Sequence, residues 1–161
     1  MVIHMTLDPA SIDAAIEQLN NYSKSLKDKC MELCRRLADY GQLLAVVAFE
    51  GVQYLGLKDV TVSVEQTDKG YRILASGETA LLLEFGAGVT YGYGHPEAIK
   101  HGMGPTTYPG QKHAEDENGW WLPKEKGGGH TYGNIPGMAM YNAREEMRKS
   151  IERIAREVFS T

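Results

Sequence analysis

Ile12, Leu19, Leu26, Leu33, Tyr40, Val47 and Tyr54 recur every seven residues through the first part of the chain, and Ile16, Cys30, Leu37 and Leu44 stand four residues after members of that series. A stripe with this period lies along one side of a helix, so residues 8–54 are expected to be helical almost throughout. Asp8 can accept a hydrogen bond from a first-turn N–H, Pro9 suits the first helical position, and Leu7 with Ile12 fits a hydrophobic staple. Asn20-Asn21-Tyr22-Ser23 and Gly41 are weak points at which the helix could divide in two. Most of the stripe is expected to pack on a sheet, which must be covered by something. The alternative use is a helix contact between subunits.

The rest of the chain supplies that sheet. Residues 61–66 alternate, with Val60, Val62 and Val64 on one face, a second strand-like run covers 70–76 after the Asp68-Lys69-Gly70 turn, and a third, 79–85, follows Ser76-Gly77-Glu78. Antiparallel hairpins of about three or four strands follow. In the third run Ala80-Leu81-Leu82-Leu83 is apolar without alternation, which predicts burial on both faces. From 138 to 159 Met140, Ala143, Met147, Ile151, Ile154 and Val158 make the apolar face of a second amphipathic helix, opposite Arg144, Glu145, Arg148, Glu152 and Arg156. The expected fold is α+β: a small antiparallel sheet between a long N-terminal helical region and a C-terminal helix. At 161 residues, 42% hydrophobic, the chain fits one domain, 1–161.

Residues 86–137 are different in kind. They hold most of the 18 glycines, every proline but Pro9, both tryptophans and every histidine but His4. Regular structure cannot propagate through such a stretch, and a loop near this length is functional or disordered. Trp120, Trp121, Tyr91, Tyr93, Tyr108 and Tyr132 supply apolar area that disordered segments lack, so an ordered insertion is expected, packed partly against a neighbouring subunit.

Candidate chemistry is sparse. His95, His101, His113 and His130 could converge on a metal, which would make a metal-dependent hydrolase the alternative reading. Their spacings match no zinc pattern, and His113-Ala114-Glu115-Asp116-Glu117 is no metalloprotease signature. Gly86-Ala87-Gly88 lacks the third glycine of a dinucleotide site, and Lys126-Gly127-Gly128-Gly129 puts its lysine before the glycines instead of after them. The acidic run Glu115-Asp116-Glu117-Asn118 reads as a solvated turn, lacking the alternating ligands of a calcium loop. Cys30 and Cys34, one helical turn apart, read as reduced packing residues. Glu84, between an apolar run and Phe85-Gly86, needs a partner; it is expected to accept hydrogen bonds from backbone N–H groups of the loop that follows. A net charge of −4 gives no basic footprint for nucleic acid. No run is long and apolar enough for a membrane span, and the N-terminus lacks the order of a secretory signal, so a cytosolic chain is expected.

Leu82-Leu83-Glu84-Phe85-Gly86-Ala87-Gly88, followed after the insertion by Ile135-Pro136-Gly137-Met138-Ala139-Met140-Tyr141-Asn142-Ala143, resembles the lambdoid-type neck and tail-completion proteins of tailed bacteriophages. Gly92-Tyr93-Gly94-His95-Pro96, the stretch from Met103 to His113 and Gly119-Trp120-Trp121-Leu122-Pro123 are similar to an insertion carried by prophage members from Gram-positive bacteria. The resemblance implies a head–tail joining or tail-completion protein without cofactor or catalytic residues. It implies rings of identical subunits, contacts with other neck or tail proteins, and DNA met only by passage through a channel. Localisation would be the host cytoplasm during assembly, then the virion. The expected interaction residues are Glu84, Phe85, Gly86, Tyr91, Tyr93, Trp120, Trp121 and Tyr132.

Overall fold

The structure, a computed structural model, describes residues 2–103, 113 and 115–160; Tyr108 and the 104–112 part of the insertion lie outside the described residues. In chain order the elements are α1 (Pro9–Gly51), β1 (Thr61–Thr67), β2 (Gly70–Ser76), α2 (Ala80–Phe85), α3 (Gly88–Tyr91), β3 (Trp120–Trp121), β4 (His130–Thr131) and α4 (Ala139–Phe159), with short 3-10 turns at Ile99–His101 and Lys124–Lys126. The fold is α+β, as the periodicities predict. Its strands form two separate antiparallel pairs, β1–β2 and β3–β4, instead of one sheet.

The first helix is a single continuous element of 43 residues, about 65 Å long, unbroken at Asn20–Ser23 and at Gly41. Asp8 caps it as expected, its Oδ1 accepting the Ser11 N–H at 3.1 Å. Leu7 makes no staple, being almost wholly exposed. The heptad stripe meets the core only in part: Leu44 and Tyr54 pack against it half-buried, whereas Ala38, Gly41, Ala45 and Phe49 are the buried positions of the C-terminal half and Val47 is exposed. Small residues win there because α4 crosses close by. A Cβ on Gly41 would stand 2.2 Å from Met147 Sδ and 2.6 Å from Ile73 Cδ1.

The final helix runs antiparallel to α1. Ala139 and Ala143 pack with Ala45 and Phe49, the Arg153 guanidinium lies over the Tyr40 ring, and Arg36 faces Glu157 at 3.9 Å. The hairpin covers the same region from another side, with Val62 opposite Ala75 and Val64 opposite Ile73 across the ladder. Gln42 Nε2 donates to the Val62 carbonyl at 2.8 Å. Leu83, fully buried, completes the core.

Leu83 sits on a helix, not on the expected third strand. A short apolar run does not distinguish strand from buried helix by period, and Ala, Leu and Glu are strong helix formers. The Asp59 carboxylate decides the start of this helix: it accepts the N–H groups of Glu78 at 2.7 Å and Thr79 at 2.9 Å, and the Thr79 hydroxyl. Burial on both faces does not follow either, since Leu81 points outward.

Two predictions come from this packing. Gly41→Leu should destabilise the chain by about 2–3 kcal/mol through overpacking against Met147. Gly51→Ala, where a Cβ meets nothing within 4 Å, should be neutral or slightly stabilising; urea unfolding midpoints separate the two. The hydrogen bonds from Thr79, followed by that from Glu78, hold the Asp59 carboxyl below its ordinary value of 3.8. Its folded pKa being the lower one, Asp59 contributes stability above the ordinary value and loses it as pH falls through the folded value. Melting curves at stepped acid pH should therefore show the deficit of Asp59→Asn shrinking toward low pH.

Candidate functional site

Glu84 is the last acidic residue of α2 and is only 7% exposed. Its Oε2 accepts the Met140 N–H at 2.8 Å, and its Oε1 accepts the Tyr141 N–H at 2.9 Å. Those two amides belong to the first turn of α4, whose capping residue Met138 is left-handed (φ 50°) and offers no side-chain cap. The carboxylate therefore replaces a cap in sequence with one from 56 residues earlier, and a negative charge at a helix N-terminus is favourable. Backbone bonds complete the joint: Gly137 N–H donates to the Leu83 carbonyl and Met138 N–H to the Glu84 carbonyl, at 2.8 and 3.1 Å. Glu84 thus binds backbone N–H groups, as expected, but those of the final helix and not of the loop that follows it.

The third donor is His95, 8% exposed. Its Nδ1 accepts the Glu97 N–H at 3.1 Å, so the ring proton sits on Nε2, which faces Glu84 Oε1 at 3.2 Å. The ring lies tilted against Phe85, with centroids 4.3 Å apart, and meets Tyr141 edge-on. Both ring nitrogens are engaged within the chain. Beside them Arg144 Nη1 bonds Glu97 Oε2 at 2.8 Å, and Arg144, with Lys100 and His101, holds the Glu97 carboxyl below its usual range. These groups stand at one end of an open, largely apolar groove of about 720 Å³ between β2, α1, α2 and α4.

The structure sorts the expected interaction residues into two groups. Glu84, Phe85 and Gly86 are interior, so the strand-end motif works inside the molecule and not at its surface. Gly86 has φ 82° and ψ 177°, a conformation open to glycine alone, and a Cβ there would strike Pro136 and the Asn134 carbonyl at under 3 Å. Next to it Ala87 and Asn134 exchange two backbone hydrogen bonds of 2.9 and 3.0 Å, closing the insertion at its neck. Asn134, buried and missed by the sequence reading, also donates from Nδ2 to the Leu82 carbonyl at 2.8 Å.

Tyr91, Tyr93, Trp121 and Tyr132 are exposed. Trp121, His130 and Tyr132 stand in a row on β3–β4, ring centroids 5.3 and 5.0 Å apart, with Trp121 74% exposed. Trp120 faces the other way: its ring would be 3.1 Å from a Cβ on Gly88. Of the histidines, His95 and His101 both approach Phe85, His113 lies exposed, and His130 belongs to the aromatic row. Among the described residues no group of three His, Cys, Asp or Glu side chains could hold a metal ion. The 115–118 run is the surface turn expected, Asp116 Oδ1 accepting the Asn118 N–H at 2.9 Å. Among the described residues no helix is long and apolar enough to cross a membrane.

Removing the Glu84 charge should loosen the start of α4. Glu84→Gln is expected to cost about 2–3 kcal/mol, since its amide turns donors toward donors, and His95→Ala about 1–2 kcal/mol; denaturant titration measures both. For the two tryptophans, Trp120→Ala should cost about 2 kcal/mol and Trp121→Ala less than about 0.5 kcal/mol, read from the same titration. We found no match to the chain among protein-family profiles, curated proteins or solved structures.

Proposed function

We propose that this chain is a non-catalytic structural subunit that assembles with copies of itself, in the neck or tail of a tailed bacteriophage. The observation that carries the reading is the N-terminal half of α1. Between residues 10 and 28 only Ala15 is buried, and Ile16, Leu19, Tyr22 and Leu26 stand exposed on one face. An apolar helix face without cover among the described residues marks an interaction surface. The phage assignment rests on the sequence resemblance around Glu84-Phe85-Gly86 and the start of α4. In that setting the subunit would form a ring at the head–tail junction, made in the host cytoplasm and carried in the virion. A net charge of −4 suits a channel through which DNA slides without sticking.

Sedimentation velocity with light scattering tests the assembly. The expected result is a discrete species at a multiple of the 17.8 kDa chain mass. A 17.8 kDa species at every concentration, alone and mixed with purified neck and tail proteins, would overturn the reading. Co-purification of the chain with particles from a producing culture tests its place in the virion.

A further inference from the structure

The free half of α1 carries the uncovered part of the heptad stripe. Ile12, Ile16, Leu19, Tyr22 and Leu26 are each between 36% and 54% exposed. The ridge they form runs past the end of α4, where Glu157 faces Arg36 and Val158 lies beside Lys29. The spacing of seven from Ile12 to Leu19 to Leu26, with Ile16 four residues after the first, is the period at which one helix meets another. Charge along the same stretch changes sign from end to end. Residues 8–17 hold Asp8, Asp13 and Glu17 and no lysine or arginine, whereas residues 24–29 hold Lys24, Lys27 and Lys29 against Asp28 alone. Lys27 and Lys29 flank the ridge at that second end. Among the described residues the ion pairs of α1 begin only at Glu32.

We propose that the free halves of α1 from two copies pair with each other, antiparallel, about a two-fold axis near Leu19 and Asn20. This deepens the self-assembly reading above and rests on it. The charges select the orientation: antiparallel helices set the acidic end of each copy beside the lysine end of the other, twice over, whereas parallel ones set like charges together. They also select a second copy over a lipid surface. The stretch from 8 to 29 has four acids against three lysines, without the cationic excess that an anionic membrane attracts. Area is matched as well, because both sides of a two-fold contact are the same surface. From Ile12 to Leu26 the ridge is about 21 Å long. Its exposed apolar side chains bring on the order of 500 Å² per copy, about 1,000 Å² in all, near the lower limit for a specific contact. A two-fold contact closes at two copies. A ring would therefore be built from paired chains through other surfaces, of which Leu43, Val47 and Leu55 remain exposed.

Sedimentation and crosslinking of the full chain test this. The parent chain is expected to give a two-copy species as its smallest assembly. Leu19→Asp, at an exposed position where the melting temperature should stay near the parent's, should weaken that association at least tenfold; Ile16→Asp takes its place if it fails to fold. Leu81→Asp, in the groove between β2 and α4, should leave the association unchanged. Orientation is read with Cys30→Ser and Cys34→Ser in place. A short bismaleimide should then join an Asp13→Cys chain to a Lys27→Cys chain in a mixture. It should not join Asp13→Cys chains to each other, since antiparallel pairing holds those two positions about 20 Å apart along the axis. Crosslinking of Asp13→Cys chains to each other would mean parallel helices and overturn the proposal. Loss of association in Leu81→Asp would put the ridge in the groove of a neighbour and overturn it too. A Leu19→Asp chain that associates at parental strength would overturn the proposal while leaving self-assembly, through another surface, standing. A parent chain that stays monomeric at every concentration would remove self-assembly, and the proposal with it.

Discussion

The Glu84 carboxylate joins the end of α2, the start of α4 and His95 at one buried point. A buried carboxylate is costly to desolvate, and three donors aimed at it offset that cost. The arrangement also explains a left-handed, non-glycine residue at the head of α4. Met138 turns the chain so that the next amides face Glu84, and its own N–H reaches the Glu84 carbonyl. Everything α4 does for the core, including the burial of Ala139 and Ala143 against α1, follows from where that first turn is held.

Much of this was legible in the sequence. Helical period gave both long helices within a few residues of their ends, Asp8-Pro9 marked the first start, and alternation around Val62 with the Asp68-Lys69 turn gave the hairpin. The third strand was misread because Ala80-Leu81-Leu82-Leu83 has no period of its own, and the group that fixes its conformation, Asp59, acts across 20 residues. The contact face of α1 was read only in part for a related reason. Large apolar residues dominate a periodic pattern, yet close helix packing selects small ones, and Ala38, Gly41 and Ala45 leave little trace in a hydrophobicity count.

At the site the sequence singled out Glu84 correctly, because a charge beside an apolar run has to be satisfied. It could not name the partners. His95, Met140 and Tyr141 come from two places beyond a glycine-rich stretch, and only the folded chain brings them together. Phe85 and Gly86 look like surface recognition residues when read as a strand end and prove to be interior once that strand is a helix. Trp120 and Trp121 are neighbours of identical type whose roles differ by strand alternation, which a two-residue strand cannot reveal in advance.

The two hydrogen bonds between Ala87 and Asn134 have a consequence for how such a chain can change. Once the two ends of the insertion are tied, the entropy of closing it grows only with the logarithm of its length, so that doubling the length costs about 0.6 kcal/mol. The enclosed segment is in that respect like cargo behind a clasp. Residues can be gained or lost in its exposed parts at little thermodynamic cost to the helices and hairpin, provided that the clasp, the interior glycine beside it and the packed His95 and Trp120 are kept.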